Sequence, residues 1–233
     1  MTAPKRYRSH SDLPSVIPVF PLTGALLLPR ARLPLTIFEL RYLAMVDAAM
    51  SGNRIIGMVQ PKIPGSENSR RPPALAKVGC VGRIVEYSET DDGRYLITLL
   101  GLSRFRIAGE RDDDTPYRQV AADYSGFAAD FASDDAPDVA RERLVAALRP
   151  YLQEREMQTD WSTIEDAPAD TLVNALAMLC PFEPQEKQAL LEAPNLTARA
   201  EALIALLEMA NAMTPGGGSG PGPGPASGGG LLH

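Results

Sequence analysis

The stretch VGCVGRIVEYSETDDGRYLITLL, residues 78–100, decides the fold class. Two runs rich in β-branched and aromatic residues flank Asp91-Asp92-Gly93, and Gly93 can supply the positive φ that a tight hairpin turn demands. The pattern predicts a β-hairpin of strands 78–87 and 94–100. Similar short apolar runs predict further strands at 16–20, 25–28, 33–38, 55–60, 104–108 and 117–124. We therefore expect a closed or partly closed sheet in the first half of the chain.

Helical spacing replaces this pattern in two parts of the chain. Within the first half, apolar residues recur at helical spacing over 39–50, namely Leu40, Leu43, Met45, Val46, Ala49 and Met50. The second half predicts helices over 137–152, over 166–179 with an Asp166 cap, from Pro184, and after an Asn195 cap. Pro150 is expected to end or kink the first of these. The fold class is thus α+β.

Composition shifts divide the chain into four segments. Residues 1–15 are polar and interrupted by prolines, which predicts a disordered leader, and residues 214–233 are rich in Gly and Pro, which predicts a disordered tail. Between them we expect a β domain over 16–125 and a small helical bundle over 126–213. The Pro-rich segment 61–73 is expected to form a long mobile loop within the β domain.

Charge separates the two halves of the chain. The net charge is −6, but residues 1–124 carry 17 basic and 13 acidic residues, against 6 and 16 in the remainder. An acidic protein disfavours non-specific binding to nucleic acid or anionic lipid, although the basic first half leaves RNA contact open. No apolar run approaches the ~20 residues of a membrane span, and Cys80 and Cys180 do not form a disulfide pattern. We expect a cytoplasmic protein without membrane contact.

Residues that catalysis or metal binding would require are missing from the sequence. None of the four lysines follows a glycine, which argues against a P-loop. The histidines are His10 and His233, both in ends that we expect to be disordered, so neither suits a general base. Cys80 and Cys180 sit among apolar residues and fit a core role. We therefore predict no enzyme activity, no cofactor and no metal.

Six motifs occur in an order that resembles one known family. They are 19–22 (VFPL), 33–42 (LPLTIFELRY), 56–59 (IGMV), 78–82 (VGCVG), 92–95 (DGRY) and 101–107 (GLSRFRI). In this order they resemble the N-terminal, substrate-binding domain of Lon proteases, over residues 14–213. The sequence departs in two places: Leu40 stands where the family pattern usually has Pro, and Arg30 follows Pro29 where Gly is common. Both changes are expected to reshape local turns only.

This resemblance implies a PUA-like β pseudo-barrel with one inserted helix, followed by a small helical bundle. It also implies binding rather than catalysis, in a bacterial protein of the stand-alone type that contributes to protein quality control. Our first hypothesis is a module that binds unfolded or damaged polypeptides, or an adaptor for a protein partner such as a Lon-type protease. Candidate contacts are Phe38, Arg41, Tyr42 and Met58. Each of these side chains also fits a structural role.

The alternative hypothesis is RNA binding through the basic face of the PUA-like domain. Its candidate contacts are Arg83, Arg104 and Arg106. Alternation along a strand places Arg104 and Arg106 on one face, away from the apolar Phe105 and Ile107, so both guanidiniums are expected to reach solvent. Such a face is also typical of a solvated strand paired with local acids.

Overall fold

The computed structural model describes residues 7–62, 73–131, 140–157 and 159–213. Six strands form the sheet: β1 Val16–Pro21, β2 Arg32–Ile37, β3 Ile55–Val59, β4 Val78–Glu89, β5 Tyr95–Arg111 and β6 Arg118–Asp123. The predicted hairpin is confirmed, because Gly93 adopts φ 78° between β4 and β5.

The sheet closes on itself through five of its strands. Its order is β2-β5-β4-β3-β1-β6, and β6 also pairs with β5, which completes a ring of β5, β4, β3, β1 and β6. β2 pairs with the first part of β5 outside this ring. β1 and β3 run parallel, whereas the other pairs are antiparallel. The predicted partly closed barrel is therefore confirmed.

β5 makes closure of the sheet possible because it pairs with strands in two parts of the sheet. The predicted strands 94–100 and 104–108 are one strand of 17 residues, which pairs first with β2 and β4 and then with β4 and β6. Register shifts interrupt its pairing with β4 at Val81/Gly82 and with β6 at Ile107/Gly109. Bulges of this kind increase strand twist, which lets one long strand bend from the hairpin into the ring.

Phe105 fills the interior of the ring. It is completely buried in a cluster to which each ring strand contributes, together with Ile17, Val19, Ile55, Val59, Val81 and Val120. A Cβ atom added at Gly57 or Gly79 would lie 3.0 Å or 2.8 Å from Cζ of Phe105. These two glycines leave the space that the aromatic ring occupies.

Six α-helices complete the described part of the chain. They are α1 Leu40–Ser51, α2 Arg141–Glu154, α3 Trp161–Asp166, α4 Ala169–Leu179, α5 Pro184–Glu192 and α6 Leu196–Met213. Asn195 caps α6 as predicted, since the backbone N–H of Ala198 donates to its Oδ1 over 2.9 Å. Asp166 does not cap α4; it ends the unpredicted α3, and Pro168 precedes α4. α2 continues past Pro150, so that proline does not end the helix.

One hydrophobic core joins the helices to the sheet. Its buried residues come from α1, from α2, α4, α5 and α6, and from the outer side of the ring, including Ile56, Cys80 and Leu99. The predicted boundary between the segments 16–125 and 126–213 remains a prediction.

The strand predicted at 25–28 is wrong. Leu26, Leu27 and Leu28 are all buried, without the alternation of a half-exposed strand, and they form a loop that crosses β5. At the crossing, the backbone N–H of Arg30 donates to the carbonyl of Gly101, and that of Gly101 donates to Ala31, each over 2.9 Å. Arg30 adopts φ 67°, a left-handed conformation that explains why Gly is common at this place in the family pattern.

The predicted disorder of residues 1–15 is wrong from Tyr7 onward. The Tyr7 hydroxyl donates to the carbonyl of Asn53 over 2.9 Å, residues His10–Asp12 form a 3-10 helix, and Leu13 is buried against the ring cluster. Polar composition concealed these anchors. Residues 1–6, most of the predicted loop 61–73 and the predicted tail 214–233 lie outside the described residues.

A buried ion pair fastens the helices to the barrel. Arg104 of β5 donates from Nη2 to Oδ1 of Asp130 over 2.9 Å, and its backbone N–H donates to Oδ2 over 2.7 Å. Asp130 belongs to the 3-10 helix Ser125–Phe131 that follows β6. The other end of the guanidinium donates to the carbonyls of Leu191, in the last turn of α5, and of Ala193, directly after that helix. We call this arrangement the Arg104 clasp.

Gly101→Ala is expected to destabilise the fold by about 3 kcal/mol, because overpacking a filled site typically costs 1–3 kcal/mol and the clash here is with backbone. A Cβ atom at residue 101 would lie 2.0 Å from the carbonyl oxygen of Leu28. The measurement is urea unfolding followed by circular dichroism. Gly109→Ala is the control, since no described atom lies within 4 Å of its added Cβ. Equal midpoints for the two variants would contradict the tight crossing.

Arg104→Met is expected to cost about 3–5 kcal/mol of unfolding free energy, because it leaves the Asp130 carboxylate buried without its cation. The exposed pair Arg143–Glu201, 3.1 Å apart, provides the control: Arg143→Met should cost at most about 1 kcal/mol. Adding Asp130→Leu to Arg104→Met should recover part of the loss. If Arg104→Met and Arg143→Met unfold at the same denaturant concentration, the clasp contributes no more to stability than an exposed ion pair.

Candidate functional site

The turn between β2 and α1 presents two large apolar side chains to solvent. Phe38 exposes 63% of its surface and Leu40 exposes 84%, whereas Ile37, directly before them, exposes 1%. The Glu39 carbonyl accepts hydrogen bonds from the backbone N–H groups of Tyr42 and Leu43, each over 2.9 Å. The first turn of the helix therefore holds Phe38 and Leu40 in fixed positions outside the core.

Arg41 and Tyr42 both make contacts that support this turn. Arg41 donates two hydrogen bonds to Oε2 of Glu39, over 2.7 and 3.0 Å, and its guanidinium lies 4.6 Å from the centre of the Tyr42 ring. Tyr42 is buried, with its ring centre 4.3 Å from that of Phe20. Arg41 thus reaches the surface, while Tyr42 anchors the helix to β1.

Met58 lies in the core and does not reach the surface. It belongs to β3, opposite Cys80 of β4, and is buried in the cluster that joins the sheet to the helices. A partner could touch Met58 only if this core opened. The four residues predicted for polypeptide binding therefore divide into Phe38 and Arg41 at the surface and Tyr42 and Met58 beneath it.

Leu40 is a surface residue that the sequence analysis counted among the apolar residues at helical spacing. Its position in the helical apolar pattern favoured an inward side chain, but it is the first residue of α1, beyond the edge of the packed stripe. The departure from the usual Pro at this place in the family pattern was the signal that marked it. That departure adds a large apolar group to the exposed turn.

The end of the β4–β5 hairpin carries two further exposed apolar side chains. Leu96 pairs with Thr36 of β2, and Tyr87 lies opposite Ile97; both Leu96 and Tyr87 are exposed. They line a cavity of about 500 Å³ together with Pro34, Leu35 and Thr36. We call Phe38, Leu40, Tyr87 and Leu96 the apolar corner; they are half of the exposed large hydrophobic residues in the described chain.

A hydrogen bond between two elements keeps the hairpin end in place beside α1. Tyr95, the first residue of β5, bonds to the Asp47 carboxylate of α1, and this contact raises the pKa of Tyr95 to about 12. The Tyr87 ring packs edge-on against Tyr95, with 5.1 Å between their centres. The hairpin end that carries Tyr87 is thus attached to α1.

The three arginines predicted for RNA binding do not form one surface. Arg104 is buried in its clasp, so the prediction that its guanidinium reaches solvent is wrong: the segment Ser125–Phe131 and the α5–α6 connection cover that part of β5. Arg83 is half-buried, 6.0 Å from the ring centre of Tyr7. Arg106 is exposed and lines a cavity of about 380 Å³ between the barrel and α5.

Lys62 and Lys77 line the same cavity as Arg106. The sequence prediction missed this grouping because the two lysines flank the Pro-rich segment and come together only through the pairing of Pro61 with Leu75. The Gln60 side chain forms part of the floor, since its Nε2 donates to the carbonyl of Pro184 over 3.0 Å. The cavity is basic, with Glu192 at its border.

Potentially reactive side chains are held in structural roles. Cys80 and Cys180 are buried, and burial raises the pKa of both thiols, that of Cys180 to about 11. His10, which was expected in a disordered segment, places Nε2 3.2 Å from Oγ of Ser103. Ser103 is completely buried and donates its hydroxyl proton to the carbonyl of Arg104. A hydroxyl in this position is unsuited to act as a nucleophile. The described residues contain no cluster suited to a metal ion.

Comparisons with known proteins agree with this architecture. Residues 16–209 match the family described as the ATP-dependent protease La (LON) substrate-binding domain. The chain is 26% identical to Lon protease of Desulfosudis oleivorans over 196 residues, which are 80% of this chain and 23% of that protein. It is 28% identical to Lon protease 2 of Myxococcus xanthus over 215 residues, 88% of this chain and 25% of that protein. The chain thus spans about a quarter of these relatives.

Solved structures show the same relationship. The Lon N-terminal domain protein of Xanthomonas campestris matches with a TM-score of 0.57 and 25% identity, over 82% of this chain and 97% of that one. The N-terminal domain of the Mycobacterium avium complex Lon protease has the same fold, with a TM-score of 0.56, 19% identity and the same coverage. Among the described helices, none is long and apolar enough to cross a membrane.

The closed sheet with its appended β2, the helices fastened to it by the Arg104 clasp, and the match over residues 16–209 agree with one another. The chain belongs to the family of Lon substrate-binding domains.

Proposed function

We propose that this chain is a non-catalytic, cytoplasmic module that binds apolar segments of unfolded or damaged polypeptides at the apolar corner. The observation that supports it most directly is the exposure of Phe38 and Leu40 on a turn whose neighbours, Ile37 and Tyr42, are firmly buried. Exposed apolar groups on a rigid support are typical of protein-binding sites. The family, which is named for substrate binding, agrees with this role.

The size of the corner favours weak and tolerant binding. Burying a large apolar side chain contributes about 1.5–3 kcal/mol, and part of this is offset by the loss of freedom of the bound segment. Four such side chains therefore suit micromolar or weaker capture. Affinity in this range fits a protein that samples many unfolded sequences.

The edge of the sheet beside the corner also suits an extended polypeptide. β2 stands at the end of the strand order, with no described strand on its outer side. An extended chain can pair with such an edge through its backbone, so that binding depends little on its sequence. Pro34, in the middle of β2, lacks an N–H group and limits the pairing of two such edges with each other. In this proposal the module hands captured chains to a protein partner, such as a Lon-type protease.

RNA binding remains the second hypothesis, with less support from the geometry. The buried Arg104 and the half-buried Arg83 leave Arg106, with Lys62 and Lys77, as the cationic surface that RNA would use. Binding there would weaken steeply as salt rises from 50 to 200 mM, because phosphate contacts release counterions. Binding of apolar polypeptide segments at the apolar corner would depend much less on the salt concentration.

The double variant Phe38→Ser/Leu40→Ser is expected to lose at least about tenfold in affinity for an unfolded polypeptide, since it removes two exposed apolar contacts. The measurement is fluorescence anisotropy with labelled, reduced and carboxymethylated α-lactalbumin. The melting temperature of the double variant should not fall, because both replaced side chains are exposed.

Met209→Ser is the control for this experiment, because Met209 is 54% exposed on α6, which contributes no residue to the cavities beside β2. It should bind like the unaltered chain. Equal affinity of all three proteins would remove the apolar corner from the site. Tight, salt-sensitive binding of a labelled single-stranded RNA, lost in Arg106→Glu, would support the second hypothesis instead.

A further inference from the structure

A small polar cavity lies at the joint between the barrel and the helices. Its volume is about 50 Å³, and it is bounded by the loop at Pro29, by α4, by the 3-10 helix Ser125–Phe131 and by the start of α6. Its lining carries three guanidinium groups, those of Arg30, Arg104 and Arg199, and one carboxylate, that of Asp130. The lining residues therefore carry more positive than negative charge.

Asp130 is already committed to one of the three arginines. It accepts hydrogen bonds from Nη2 and Nε of Arg104, over 2.9 and 3.1 Å, as well as from the Arg104 backbone. The remaining donors of that guanidinium are directed at backbone carbonyls of the α5–α6 connection. The charge of Arg104 is thus balanced, and the Asp130 carboxylate has little capacity left for a second cation.

Arg199 is the buried cation of this cavity that has no direct ion-pair partner among the described residues. It exposes only 5% of its surface, and its side chain donates to the carbonyl of Leu190 over 2.9 Å and to Oδ1 of Asn174 over 3.1 Å. Both acceptors are neutral, and within the described ranges no carboxylate lies at ion-pair distance from Arg199. A buried charge that only neutral groups accept is costly, because it has lost the solvation of water without gaining a counter-charge.

The surroundings of Arg199 add to this excess. Burial, and then the nearby Arg104, lower the pKa of Arg199 to about 10 against the opposing effect of Asp130, which still leaves Arg199 charged at neutral pH. Arg30, which also lines the cavity, has Asp170 at 3.4 Å, but both side chains are partly exposed and their attraction is screened. α6 begins at Leu196 on the cavity wall, and its 18 residues direct a positive dipole end there.

We propose that this cavity is a binding site for a small inorganic anion of about the size of chloride, held by Arg199 with Arg30 and the start of α6. A water molecule needs roughly 10–15 Å³ of such volume, so 50 Å³ accommodates a small ion with one or two waters and excludes a nucleotide or a peptide. The site is independent of the apolar corner, since none of its residues belongs to that surface.

Binding at this position stabilises the joint. The cavity walls come from the barrel side, at Pro29 and Arg104, and from the helical side, at Asn174 and Arg199. An anion between them binds the folded chain and not the unfolded one, so it raises stability in proportion to the logarithm of its concentration above Kd. The identity of the anion, rather than ionic strength alone, then determines the stability of the contact between the barrel and the helices.

The test compares the melting temperature of the full chain in sodium chloride and in sodium gluconate, at equal sodium concentration and ionic strength. Gluconate is too large for the cavity, so chloride should raise the melting temperature by about 3 °C or more, in a saturable manner. Crystals soaked in sodium bromide should show an anomalous scattering peak beside Arg199. Equal melting curves in the two salts, or a cavity that contains no bromide, would overturn the proposal.

Variants separate this site from a general effect of salt. Arg199→Gln should abolish the difference between chloride and gluconate, whereas Arg143→Gln, at an exposed ion pair, should retain it in full. Should Arg199→Gln fail to fold, Arg199→Lys keeps the charge and should retain a reduced chloride effect. An unchanged chloride increment in either Arg199 variant would show that the ion acts elsewhere, and the proposal would fail.

Discussion

The Arg104 clasp is the interaction on which the rest of the architecture depends. A guanidinium removed from water must satisfy its donors within the protein, and Arg104 does so with Asp130 and with carbonyls between α5 and α6. These partners belong to segments separated by 26 and nearly 90 residues in the chain. Because a misplaced partner would leave a charge buried without compensation, the clasp fixes where the helices rest on the barrel.

The packed interior leaves only outer surfaces on which a partner could bind. Phe105 fills the ring, and the shared core occupies the space between sheet and helices. Cavities that the described residues line lie at the hairpin end, against α5, between α4 and the start of β2, and at the joint. The apolar corner projects from this packed interior, so the binding proposed for it would require little ordering of its side chains.

Sequence patterns predicted the elements well wherever local periodicity determined them. The hairpin at Gly93 and the cap at Asn195 follow from turn and cap chemistry, which acts over a few residues. The loop at Leu26–Leu28 was read as a strand, because burial on all sides and β pairing produce the same apolar run. Arg104 was assigned to solvent, since alternation along β5 contains no information about the distant segment that covers one face.

The candidate site was predictable in part for the same reason. Phe38 and Arg41 lie at a turn, where side chains leave the core, and the family resemblance located that turn. Met58 was predicted as a binding residue from its residue type alone. Its burial depends on strands and helices far away in the chain. The excess charge around Arg199 could not be foreseen, because it arises from residues of four separate segments that meet at the joint.

The parallel pairing of β1 and β3 has a consequence for the synthesis of this chain. β1 needs β3, some 40 residues later, on one side, and β6, about 100 residues later, on the other. At a ribosomal rate of roughly 5–20 residues per second, the apolar segment Val16–Pro21 waits about 5–20 s before its second partner emerges. During this interval the first strand of the chain is itself an unpaired apolar segment, of the kind that the proposed site would bind.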